Sequence, residues 1–116
     1  MSDQFSVSSE RRGETLGIVT LSGEVDIYTA PRFKDCLLEL IDGGTERLVV
    51  DLSGVTFIDS TALGVLIGRV RRVNASGGAM ALVVTSRPVE RVLSITGLDR
   101  VFTIHEALED AIAALA

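Results

Sequence analysis

Short aliphatic runs alternate with helical periods along most of this chain, and that alternation restricts the fold more than any other feature. Between Pro31 and Ile41 the apolar residues Phe33, Cys36, Leu37, Leu40 and Ile41 recur at i, i+3, i+4, i+7 and i+8, one face of an amphipathic helix. Thr29 can cap its start, Pro31 sits in its first turn, and Gly43-Gly44 can end it. The run Leu48–Leu52, interrupted only by Asp51, then reads as a buried strand.

The same reading extends in both directions. A strand begins near Phe5, turns at Arg12-Gly13-Glu14, and is followed by a second strand over Leu16–Leu21 that ends at Ser22-Gly23. After a turn at Ser53-Gly54 comes Val55–Ile58, then a helix from Ser60 to Val73 with Leu63, Leu66, Ile67 and Val70 on its core face. Ser76-Gly77-Gly78 breaks that helix, and Met80–Val84 is another buried strand. Ser86 caps a helix carrying Val89, Val92 and Leu93 that stops at Gly97, and Val101-Phe102 reads as a short last strand. Thr103 and Glu106 have the spacing of a capping box. The helix they would open places Leu108, Ala111, Ile112 and Leu115 on one face. An initial strand pair followed by this alternation predicts an α/β fold, a mixed β-sheet of about five strands flanked by about four helices.

Size and charge then narrow the function. A chain of 116 residues predicts one domain, 1–116, with residues 1–5 frayed. Its core must be aliphatic, because Trp is absent and only four Phe and one Tyr are present. A net charge of -5 argues against nucleic acid and against adhesion to anionic lipid. No apolar run approaches the roughly 20 residues that span a bilayer, and Met1-Ser2-Asp3-Gln4 is no signal peptide, so no membrane partner is expected. The lone Cys36 fits a reducing compartment, and cytoplasmic is the expected location. With one His and one Cys, no zinc site of the usual type, no other metal and no cofactor is expected.

The most informative stretch is Val49-Val50-Asp51-Leu52-Ser53-Gly54-Val55-Thr56-Phe57-Ile58-Asp59-Ser60-Thr61-Ala62-Leu63-Gly64-Val65-Leu66. A buried strand delivers three small polar residues to the start of a helix. A hydroxyl there is exposed beside free backbone N–H groups and the positive end of the helix dipole. A phosphate on it would be tolerated by the fold, yet would place about -1.5 to -2 charges beside Asp59. Taken alone, Asp59, Ser60 and Thr61 read first as ordinary capping residues worth about 1 kcal/mol.

The stretch strongly resembles the signature of bacterial anti-sigma factor antagonists, small members of the STAS family, and the likeness runs from about Val7 to Leu115 in the same element order. Gly23-Glu24-Val25-Asp26 is similar to the family's acidic turn at its partner surface, and Thr96-Gly97-Leu98 to its loop before the last strand. The resemblance implies that Ser60 is a phosphoacceptor. It also implies a partner surface of Glu24, Asp26, Asp59, Thr61, Ala62 and Gly64. The implied partners are an anti-sigma factor that is also an ATP-dependent serine kinase, and a metal-dependent serine phosphatase; nucleotide and Mg²⁺ would belong to the kinase. Ala62 departs from the Gly of many members, and its methyl bears on how closely a kinase approaches Ser60. A STAS-type adaptor, in a stress complex or a lipid transporter, is the alternative implied by the same fold.

Other residues carry less. Gly64 and Gly68 read as a smooth ridge for a partner or as close packing within the fold, with nothing in the sequence to choose between them. Arg69, Arg71 and Arg72 read as a solvated face that complements a helix C-terminus. Cys36 reads as a small buried apolar residue, and His105 as a solvent-facing residue in the first turn of the last helix. A Ser60–His105–Asp59 triad fails because the Gly-x-Ser-x-Gly elbow is absent and Asp59 adjoins the serine. A receiver domain built on Asp51 fails because the only lysine is Lys34, in a helix. The chain is not expected to be an enzyme.

Overall fold

The computed structural model describes residues 5–115. The expectations for residues 1–4 lie outside this range. Phe5, placed in the same frayed start, is half-buried against the core, with the Arg32 guanidinium 5.1 Å above its ring.

Five strands form one sheet in the order β1-β2-β3-β4-β5: β1 (Ser6–Arg12), β2 (Leu16–Val25), β3 (Arg47–Ile58), β4 (Ala79–Val83) and β5 (Thr103–His105). The first pair is antiparallel and every later pair is parallel. Three helices supply the parallel crossovers: α1 (Ala30–Asp42), α2 (Ser60–Ala75) and α3 (Arg87–Ile95). Crossovers of one hand that step the same way along a sheet put all their helices on one face. Accordingly Phe33, Leu37, Leu66, Val70, Val89 and Leu93 pack with Leu21, Val50, Leu52 and Leu82 in the main core. α4 (Leu108–Ala114) covers the other face, where Ala111 meets Ile18, Val49 and Val83. The expected mixed sheet of five strands and four helices is what forms.

Several local expectations are corrected. Ser53-Gly54 is not a turn; β3 runs through it. The pairing passes from Thr20↔Asp51 to Ser22↔Gly54, so β3 gains a residue on β2 there. Asp51 takes up the slack, its Oδ1 accepting from the Ser53 amide at 2.9 Å and the Ser53 hydroxyl at 2.6 Å. Val101-Phe102 is not the last strand. Phe102 leaves a short 3₁₀ turn, is 3 % exposed and plugs the core, while the pairing falls to Thr103–His105. Thr103 and Glu106 are therefore not a capping box, because ladder bonds to β4 claim Thr103 and α4 begins after Ala107. His105 is not helical and solvent-facing; it lies half-buried in β5, and its Nε2 is buried with no hydrogen-bond partner. Cys36 is half-buried rather than fully buried.

Two glycines are required by geometry. Gly97 holds φ +78° and closes α3, a left-handed position that glycine takes without strain. At Gly78 an added Cβ would stand 2.0 Å from the Glu46 carbonyl oxygen, where the chain enters β4.

Candidate functional site

Parallel pairing determines where the polar motif goes. β2 and β3 end in register, Val25 opposite Ile58, so the loops that follow them leave the same edge of the sheet side by side. This edge, outside the carboxyl ends of parallel strands, is where open α/β sheets present their sites. The Asp26–Thr29 loop and the Asp59–Ser60 entry to α2 thus become neighbours although 33 positions separate Asp26 from Asp59 in sequence.

Asp59 joins the two segments. It is the N-cap of α2, and its Oδ1 accepts from the Ala62 amide at 3.1 Å. Its Oδ2 accepts from the Ile27 amide at 3.0 Å, and its own N–H donates to the Val25 carbonyl. Both carboxylate oxygens are therefore committed to backbone donors. Asp26 plays a similar part in its own loop. Its Oδ1 accepts from the amides of Tyr28 and Thr29 at 2.9 and 3.1 Å, while its amide donates to the Thr29 hydroxyl. Thr29 does precede α1, but its hydroxyl serves this loop and does not cap the helix. Ser86 likewise precedes α3 without a side-chain capping bond.

The remaining candidates divide by exposure. Ser60 is the first residue of α2 and is exposed, as are Thr61, Gly64 and Glu24. Ala62 is corrected: it is 0 % exposed and belongs to the core, so its methyl neither meets a partner nor stands in front of Ser60. Of the first four α2 donors, those of Asp59 and Ala62 are satisfied as described. The amides of Ser60 and Thr61 lie outside the helical ladder, beside the exposed hydroxyl.

Gly64 lies one turn beyond Ser60. An added Cβ at Gly64 or Gly68 would meet nothing within 4 Å, so close packing within the fold is not the reason for either glycine. Arg71 and Arg72 are exposed, and Arg72 reaches Asp42 at 3.1 Å, tying the ends of α2 and α1 together; Arg69 is half-buried.

Sequence reasoning missed the apolar part of this edge. Ile27 is 60 % exposed and Tyr28 86 %, held outward by the hydrogen bonds of Asp26 and Asp59. Beside them a groove of about 590 Å³ runs between α1 and α2, lined by Ile27, Pro31, Lys34, Leu38, Thr61 and Val65. The available signal was two large side chains inside an acidic turn, with no periodicity to carry them inward.

Among the described residues no group of three or more His, Cys, Asp or Glu could hold a metal ion, and no helix is long and apolar enough to cross a membrane. The edge instead presents a hydroxyl, two apolar side chains and an open groove on a rigid sheet. Such a combination suits contact with a protein partner. The chain belongs to the STAS domain family, whose model matches residues 6–111, and within it to the anti-sigma factor antagonists. It is 35 % identical over 99 residues to the anti-sigma F factor antagonist of Paenibacillus polymyxa, covering 84 % of this chain and 85 % of that protein. It is 31 % identical over 91 residues to the anti-sigma-B factor antagonist of Staphylococcus epidermidis, covering 78 % and 84 %. The crystal structure of an anti-sigma factor antagonist from Mycobacterium paratuberculosis superposes with a TM-score of 0.89 at 28 % identity, over 99 % of this chain and 98 % of that one.

Proposed function

We propose that this chain is an anti-anti-sigma factor controlled by phosphorylation of Ser60. With Ser60 unmodified it binds an anti-sigma factor that is also a serine kinase, and the sigma factor is freed. The kinase transfers the γ-phosphoryl group of ATP to the Ser60 hydroxyl, whose proton is lost, with ADP as the leaving group. The resulting dianion repels the partner surface, and a metal-dependent phosphatase restores the hydroxyl by hydrolysis. The protein itself supplies no catalytic group and works in the cytoplasm.

The observation that carries this reading is the exposed Ser60 side chain at the tip of α2, on a scaffold whose neighbouring carboxylates are tied to backbone donors. A phosphate added there enters solvent and leaves the core as it was. It meets the partner as about -1.5 to -2 new charges plus bulk, where like-charge contacts cost several kcal/mol. The names of the relatives support the anti-sigma partner.

The test is incubation of the full chain with its cognate anti-sigma kinase and ATP, followed by mass mapping. Phosphate is expected on Ser60. In titrations, Ser60→Ala should bind the kinase persistently and Ser60→Asp at least tenfold more weakly; equal affinity of the two variants refutes the switch.

A further inference from the structure

A second exposed apolar surface lies on α3, away from the hydroxyl. α3 buries Val89 and Leu93, yet Ile95 is 77 % exposed and Phe57, on the adjoining part of β3, is 48 % exposed. A groove of about 460 Å³ lies between Phe57 and the start of α3, lined by Phe57, Arg87, Pro88, Arg91 and Val92; Ile95 lines the adjoining groove with Arg87, Glu90 and Arg91. Arg87 and Arg91 stand one helical turn apart on its rim. Ion pairs among the described residues involve only Arg12 and Arg72 on the cationic side, so neither groove arginine has a carboxylate partner. Glu90 lies on the same helix and lines the adjoining groove with both arginines, so on a chain of net charge -5 the pair leaves a local excess of one positive charge beside an apolar floor. Exposed aromatic and arginine side chains grouped in this way are the usual anchors of protein interfaces.

We propose that this groove docks an acidic, apolar segment of the same partner that reads Ser60, an inference that rests on the function proposed above. Charge decides the chemistry of the occupant: carboxylates for Arg87 and Arg91, aliphatic or aromatic side chains for Phe57 and Val92. Position decides that one partner covers both surfaces. Phe57 pairs in register with Glu24 and precedes Asp59 by two residues, so the groove begins where the Ser60 surface ends. A second copy fits less well. The acidic helix α4 carries Glu109 and Asp110, but its Leu108 and Ile112 are already packed against the sheet, leaving no apolar row to offer.

Two consequences distinguish this contact from the switch. The arginines act at a distance, so they should set association rate and salt dependence, whereas Phe57 should set dissociation. The groove contact should also be indifferent to the state of Ser60, because contacts of one complex that share no residue add independently.

The experiment is a kinetic titration of the full chain against its cognate anti-sigma kinase at several salt concentrations. Arg87→Glu with Arg91→Glu should lower affinity about tenfold at low salt, mainly through slower association, and flatten the salt dependence. Phe57→Ser should raise the dissociation rate. Ser60→Asp should cost the same factor with or without the arginine changes. If the double variant fails to fold by circular dichroism, Arg91→Gln carries the test, with an expected loss of about threefold. Unchanged affinity and salt slope overturn the docking groove while leaving the Ser60 switch intact. No binding by the wild-type chain overturns both. Sedimentation showing a wild-type dimer that Arg91→Gln dissociates would assign the face to a second copy, and would overturn the proposal as well.

Discussion

Replacing Gly64 by alanine should make this protein more stable, and the structure says by how much. A glycine inside a helix costs about 1 kcal/mol relative to alanine, because it releases more backbone entropy on unfolding. That gain is usually offset where the new methyl collides or where the glycine holds a positive φ. Neither applies at Gly64. Its backbone is not among the positive-φ glycines, and an added Cβ has open space to 4 Å. The full increment of about 1 kcal/mol should therefore appear in urea denaturation as a higher midpoint with unchanged slope. In thermal melting it should appear as a rise of about 4 °C. Lower stability would refute the reasoning outright, since it would mean that the helix is strained or packed at this point. The second measurement is affinity for the anti-sigma kinase proposed as partner. If the glycine is kept so that a partner can approach the helix one turn beyond Ser60, the stabilised variant should bind at least fivefold more weakly. A variant that is both more stable and equally tight would remove Gly64 from the partner surface.

Other changes should separate scaffold from surface. Asp59→Ala removes the α2 cap and the acceptor for the Ile27 amide, and should cost about 2 kcal/mol in denaturant titration, about 1 for each bond. Gly78→Ala forces a methyl against the Glu46 carbonyl and should destabilise by about 2 kcal/mol or more, opposite in sign to Gly64→Ala. Tyr28→Ala should leave stability within about 0.5 kcal/mol, since the side chain is 86 % exposed, yet weaken kinase binding about tenfold in a calorimetric titration.

What the sequence made legible was whatever local periodicity controls. The α1 stripe of Phe33, Leu37 and Leu40 and the β4 run appeared where the pattern placed them. The exposed start of α2 was also legible, because Asp-Ser-Thr before a helical period has a defined capping geometry. Tertiary pairing overrode local signals elsewhere. Thr103 and Glu106 satisfy the spacing of a capping box, but three ladder pairings to β4 hold Thr103–His105 extended. Ser53-Gly54 looks like a turn because serine and glycine favour turns, yet β2 on one side keeps β3 extended while Asp51 absorbs the irregularity. The apolar edge at Ile27 and Tyr28 was not legible. Which way a loop side chain points depends on hydrogen bonds between segments far apart in sequence, here from Asp59 to Ile27.

That same hydrogen bond explains why a charge added at Ser60 would act on partners rather than on the fold. A switch that altered the domain itself would need the modified group to compete for bonds that hold the structure. Here Asp59 has both oxygens engaged, one to the α2 backbone and one to the Asp26–Thr29 loop, and neither bond involves the Ser60 side chain. The free donors nearest a phosphate are the Ser60 and Thr61 amides, which lie outside the helical ladder and favour an anion. Phosphorylation would thus leave the α2 tip and the Ile27–Tyr28 loop in register while reversing what they present, from a neutral hydroxyl beside apolar side chains to a dianion beside them. In the proposed switch the information would pass through charge and shape at a fixed surface, so the cost of switching would fall on the complex and not on the folding equilibrium of the chain. A phosphorylated chain that melts within a degree or two of the unmodified one, yet fails to bind, is the outcome this arrangement requires.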